Sequence, residues 1–115
     1  MLDKQLDKAS REYIRAIKDT AVYKNYRTQL ERIKQYPDLY RQVNEFRQRN
    51  YEIQNTEQVD ELFDKIDAFE REYEKFRENP IVDEFLRAEL ALCRMMQKID
   101  IFITEELDFD MGSVC

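Results

Sequence analysis

The chain offers almost nowhere to break a helix: its 115 residues hold one glycine, Gly112, and two prolines, Pro37 and Pro80. Glycine supplies the positive φ that many turns need, and proline fixes φ and removes a backbone donor. A chain so poor in both folds into long helices with short connections, and nothing in it reads as a strand. The expected architecture is all-α: an antiparallel bundle of about five helices ending in a long C-terminal helical hairpin.

Apolar periodicity places the helices. Over about residues 2–18, Leu2, Leu6, Ala9, Tyr13, Ala16 and Ile17 form one stripe at three- and four-residue steps. Asp19 and Thr20 are suited to cap a second helix over about 21–35, with Tyr23, Tyr26, Leu30 and Ile33 on its stripe. Pro37 ends or kinks that helix, and from there to about Asn55 a third carries Leu39, Val43, Phe46, Asn50 and Ile53. Asn55 and Thr56 offer a cap for a fourth, about 57–78, where Val59, Ile66 and Tyr73 lie seven apart and Leu62, Phe69 and Phe76 likewise. Asn79-Pro80 is a strong start signal, Asn for the cap and Pro for the first helical position.

The fifth helix, about 81–107, carries Val82, Phe85, Leu86, Leu92, Cys93, Met96, Ile99, Ile103 and Leu107 on its apolar face. A short connection favours antiparallel neighbours, so helices four and five are expected to fold back on each other. A helix of some seven turns exposes more apolar face than a chain of this length readily covers. Self-association as a homodimer or higher oligomer is therefore expected along Val59, Leu62, Ile66, Phe69, Tyr73, Phe76, Val82, Phe85, Leu92, Met96, Ile99 and Ile103. The competing reading is that the rings only fill the core of one chain. The expected division is one helical domain, 1–107, and a flexible tail, 108–115.

Composition limits the chemistry. With 43% hydrophobic and 38% charged residues, the chain is too apolar for disorder and too charged for a bilayer interior. Charge-free stretches are only a few residues long, against the ~20 that span a membrane. The segment from Met1 is charged at its third residue and lacks an apolar run, so no secretory leader is read and a cytoplasmic location is expected. Histidine is absent, which removes ordinary catalytic triads and histidine-metal sites. A lone glycine at position 112 cannot build a phosphate-cradling loop. An enzyme is not expected, nor a resident cofactor.

Four residue groups carry other readings. Glu89 falls on the apolar seam, seven residues after Val82 and seven before Met96; it is either an acid of raised pKa, a residue that fixes register, or a carboxylate paired with an Arg or a Tyr hydroxyl. Glu105, Glu106, Asp108, Asp110 and Gly112 resemble a calcium loop, but no Glu follows the glycine to complete it. Di-iron carboxylate chemistry lacks its Glu-x-x-His pairs. Arg41, Arg47 and Arg49, near Tyr40 and Tyr51, are ingredients for nucleic-acid contact, yet Asp38, Glu45 and Glu52 alternate with them. Charge is also uneven along the chain: residues 1–54 hold 12 Lys/Arg against 8 Asp/Glu, and residues 55–115 hold 7 against 17. Opposite faces that pair within a chain or across a symmetric dimer account for such a split.

The run Asn79-Pro80-Ile81-Val82-Asp83-Glu84-Phe85-Leu86-Arg87-Ala88-Glu89-Leu90, continuing through Met96, Ile99 and Ile103, resembles the YlbF/YmcA family of small bacterial helical proteins. Val22-Tyr23, Pro37-Asp38-Leu39 and Phe46-Arg47-Gln48-Arg49-Asn50 extend the likeness over almost the whole chain. The resemblance implies a self-associating adaptor of competence, sporulation and biofilm control. It implies partners among other regulatory proteins, including paralogues and an endoribonuclease of mRNA processing. In some members C-terminal cysteines help hold an iron–sulfur cluster with partner subunits. Cys93 and Cys115 fall short of four thiolates, so a cluster at Cys115 would have to be shared between chains.

Overall fold

The computed structural model describes residues 3–55 and 59–109, with the side chains of 59–61 outside the description. It is all-α: α1 Lys4–Lys18, α2 Ala21–Lys34, α3 Pro37–Gln54, α4 Val59–Phe76 and α5 Pro80–Leu107. Among the described residues there is no strand, and no helix is long and apolar enough to cross a membrane.

Local chemistry sets most of the boundaries. Asp3 caps α1 by accepting the Gln5 N–H at 2.9 Å. Asp19 closes α1, and Thr20 Oγ1 accepts the Tyr23 N–H at 3.1 Å to open α2, satisfying one of the four orphan donors of a helix start. Pro37 begins α3 at a position where its missing N–H costs nothing. Asn79 Oδ1 accepts the Ile81 N–H at 3.0 Å and Pro80 opens α5. Asn55 has a role on the α3 side. It closes α3, its side-chain amide donating to the Tyr51 carbonyl at 2.8 Å, while α4 begins at Val59; Thr56 lies outside the described residues.

α5 runs 28 residues, about 42 Å at 1.5 Å each. Its end is a Schellman motif: the Phe109 N–H reaches the Thr104 carbonyl at 2.9 Å and the Asp108 N–H the Glu105 carbonyl at 3.2 Å. Asp108 takes the left-handed conformation this requires, at φ 52, a position that glycine fills most readily. The expected tail therefore begins with two residues that close a helix. The remainder, 110–115 with Cys115, lies outside the described residues.

The chain divides into two compact units, Met1–Thr28 with Arg87–Cys115, and Gln29–Leu86. In the second unit a small core is built from Leu30 and Ile33 of α2, Val43 of α3, and Val82 and Phe85 of α5. Ile33, Val43, Val82 and Phe85 are at most 2% exposed, and each such side chain contributes about 1.5–3 kcal/mol by leaving water. Val82 and Phe85, grouped by periodicity with a self-association seam, are corrected here to core residues with no surface left for another chain. α3 packs along α4 in this unit. In the first unit Ala88 alone among the described residues is buried.

Candidate functional site

The second unit assembles an aromatic cluster between α3 and α4. Phe46 of α3 lies against three rings of α4: stacked on Phe76 at 4.9 Å, and edge-on to Phe69 and Tyr73 at 5.7 Å each. Phe69 and Tyr73, four residues apart on α4, stack at 5.7 Å. Arg49 lies over Phe46 at 5.2 Å and Phe69 at 5.7 Å, and donates to Glu72 at 2.6 Å. That bond, and then the guanidinium charge, hold the Glu72 carboxyl below the ordinary glutamate range, with burial opposing only weakly. Arg77 lies over Tyr73 at 5.6 Å and binds Asp83 Oδ1 through two nitrogens at 2.8 and 3.1 Å, tying the end of α4 to the start of α5.

These contacts locate most of the residues singled out by pattern. Phe69, Tyr73 and Phe76 are half-buried against Phe46 of their own chain, and Leu62 and Ile66 are half-buried on the same helix. The side chain of Val59 is outside the description. Leu92, Met96 and Ile99 are half-buried on the part of α5 that belongs to the first unit, and Ile103 is exposed. Glu89 is half-buried and has an interaction partner. Cys93 is half-buried. Among the described residues no three Asp, Glu or Cys side chains cluster to hold a metal ion.

The three arginines considered for nucleic acid do not form one cationic group. Arg41 lies 3.8 Å from Asp38 and 3.6 Å from Glu45. Arg47 is over the Phe85 ring at 5.9 Å and bonds Asn44 at 3.3 Å. Arg49 is held by Glu72 and two rings. An open groove of about 540 Å³ runs beside Arg41, between Lys34, Tyr40 and Gln48, and Arg41 is already flanked there by carboxylates.

The first unit shows the opposite pattern, with apolar side chains left in water. α1 separates apolar from charged residues onto opposite faces more sharply than any other helix, and it buries none of them. Leu6 is 52% exposed, Tyr13 41% and Ile14 49%. At the far end of α5 apolar residues stand exposed between the carboxylates of Asp100, Glu105 and Glu106: Ile101 is 54% exposed, Phe102 64% and Leu107 66%, and Phe109, just beyond the helix, 60%. Periodicity alone selected Ile103 and Leu107 and passed over Ile101, Phe102 and Phe109. The missed signal is the consecutive run Ile101-Phe102-Ile103, which no single buried face accommodates.

The family model described as control of the competence regulator ComK, YlbF/YmcA, matches residues 6–108. The chain belongs to the YlbF/YmcA family. This match takes in all five helices, from within α1 to the closing turn of α5, and places the protein in a regulatory family associated with competence control. A curated relative, the UPF0342 protein of Caldicellulosiruptor bescii, is 22% identical over 100 residues, covering 85% of this chain and 84% of its own. No solved structure matches the chain.

Proposed function

We propose that this YlbF/YmcA protein is a non-enzymatic regulatory adaptor, working in the cytoplasm through protein–protein contact. The observation that carries the proposal is the apolar surface of the first unit, on α1 and the far end of α5, exposed on a chain without histidine or a phosphate-binding glycine loop. Large apolar side chains left exposed together on a helix mark contact with other macromolecules. Within the family's association with competence control, the partners proposed are other regulatory proteins, including family paralogues and an endoribonuclease. Sporulation and biofilm control are proposed as further outputs of the same complex. Arg41, Arg47 and Arg49, each engaged by a carboxylate, an amide or a ring, give no support to nucleic-acid binding.

The test is complementation. A host strain lacking the gene and carrying a ComK-dependent reporter is supplied with wild type, with Phe102→Asp and Leu107→Asp together, or with Glu70→Lys as a surface control. Wild type and the control restore the reporter, whereas the double variant fails at equal protein level. Full activity of the double variant would overturn the proposal.

A further inference from the structure

We infer that the cationic face of α1 binds the phosphate backbone of a nucleic acid. Lys4, Lys8, Arg11, Arg15 and Lys18 recur at steps of four and three residues, so at 3.6 residues per turn they share about a quarter of the helix circumference. All five are exposed. From Lys4 to Lys18 the line is about 21 Å long at 1.5 Å per residue, with a cation about every 5 Å. Asp7 and Glu12, the acids of this helix, stand at its two edges. Arg11 Nε donates to Asp7 Oδ2 at 2.9 Å, an exposed i,i+4 pair of the kind that contributes little to stability. Arg41, Arg47 and Arg49 have separate partners, whereas the five cations of α1 form one stripe.

The stripe does not serve the helix itself. Lys4 with Lys8 and Arg11 with Arg15 are like charges four residues apart, and Lys8 with Arg11 and Arg15 with Lys18 three apart; like pairs at these spacings destabilise a helix. Lys4, in the first turn, also opposes the helix dipole, and only Arg15 and Lys18, in the last, complement it. A bound polyanion compensates that repulsion. Direction selects among polyanions. Leu6, Ala9, Tyr13 and Ile17 lie on the opposite face, so α1 laid on an anionic bilayer by its cations holds its apolar side chains away from the lipid, the reverse of an interfacial helix. An evenly spaced line of cations fits a polymer of evenly spaced charge, and Lys and Arg on phosphates fix position without reading sequence. Residues 55–115, with 7 Lys/Arg against 17 Asp/Glu, repel the same polymer and hold the affinity to the weak end of non-specific binding, roughly 10⁻⁴ M at physiological salt. The cationic and apolar faces of α1 can be engaged at once, so the inference stands or fails separately from the adaptor reading.

The experiment is fluorescence anisotropy of the full chain with a labelled single-stranded RNA of mixed sequence and with a labelled DNA duplex. Binding to at least one is expected in 50 mM salt, and the polymer bound more tightly identifies the source of the phosphates. Five contacts on a single strand give a log–log salt slope of about −3.5, so affinity falls about a hundredfold between 50 and 200 mM salt. Lys4→Gln with Lys8→Gln removes two contacts, weakens binding in 50 mM salt at least tenfold and flattens the slope to about −2. Arg15→Gln with Lys18→Gln, at the other end of the line, does the same, so the result does not hang on the folding of one variant, and circular dichroism shows helix content retained in both. Lys4→Arg with Lys8→Arg keeps the wild-type slope. Lys34→Gln with Lys75→Gln removes equal charge from exposed positions on α2 and α4 and leaves the slope unchanged. Failure to bind either polymer in 50 mM salt overturns the inference, as does an equal loss in the Lys34 and Lys75 control. Tighter binding to phosphatidylglycerol vesicles or to polyglutamate than to either polymer assigns the stripe to a membrane or an acidic protein and overturns it as well.

Discussion

Replacing Phe46 by alanine removes the one ring that three α4 rings share. Truncating a fully buried Phe costs about 3–5 kcal/mol. Phe46 is half-buried, so the transfer and cavity part is about 2 kcal/mol by the same rule. Its stacked contact with Phe76 and edge contacts with Phe69 and Tyr73 overlap in space, and together they add about 1 kcal/mol beyond area. Phe46→Ala should thus lose about 3 kcal/mol, which at a urea slope of ~1.5 kcal/mol per molar lowers the midpoint by about 2 M. Phe46→Leu keeps most of the apolar volume and loses only the ring geometry and the Arg49 contact, so it should cost about 1 kcal/mol. Phe63→Ala is the control, since that ring is 65% exposed and surface substitutions stay within about 0.5 kcal/mol. Urea titration followed by far-UV circular dichroism measures all three. A Phe46→Ala midpoint within error of Phe63→Ala would refute the packing of α3 on α4 through this ring, and equal losses for Leu and Ala would refute the aromatic part.

Asn79→Ala removes the side-chain acceptor at the start of α5 and should cost about 1 kcal/mol in the same titration, with Asn79→Asp or Asn79→Ser recovering most of it. Asp108→Gly should stabilise the protein by about 1 kcal/mol, because glycine takes the left-handed position without strain and a carboxylate at a helix C-terminus opposes the helix dipole; an unchanged or lowered melting temperature would argue against the Schellman closure. For Glu72 the folded pKa is depressed by Arg49. Its contribution is therefore present above the unfolded glutamate value of about 4.3 and is lost as pH falls through the lower folded value. Wild type should lose more stability than Glu72→Gln on acidification across that window, and parallel pH profiles would contradict the pairing.

Helix number and most boundaries were legible because each rests on local chemistry. Pro37, Pro80, Thr20 and Asn79 act within three residues of where they stand, and the scarcity of other breakers makes the intervening segments helical. Asn55, read with Thr56 as a cap for the fourth helix, closes α3; an Asn between two helices suits either the end of one or the start of the next. What lies across from a stripe was not legible. The heptad of α4 identifies Phe69, Tyr73 and Phe76 as sharing a face, but a face occupied by Phe46 of the same chain and one occupied by a second chain have the same period. The same ambiguity joined Val82 and Phe85, which are core, to Ile103, which is exposed. Arg41, Arg47 and Arg49 read as one basic group because they are neighbours in sequence. Their separate partners, Asp38 with Glu45, Phe85, and Glu72, depend on side-chain direction and on helices distant in the chain.

The central claim is that this YlbF/YmcA protein works by protein contact through the apolar surface of its first unit. Site-specific photo-crosslinking in the living host tests it most directly, with the photoreactive residue placed at Phe102, at Tyr13, or at exposed Glu70 on α4 as reference. Discrete protein adducts at positions 102 and 13, well above those at position 70, are the predicted result. Positions 102 and 13 giving no more adduct than position 70 would contradict it.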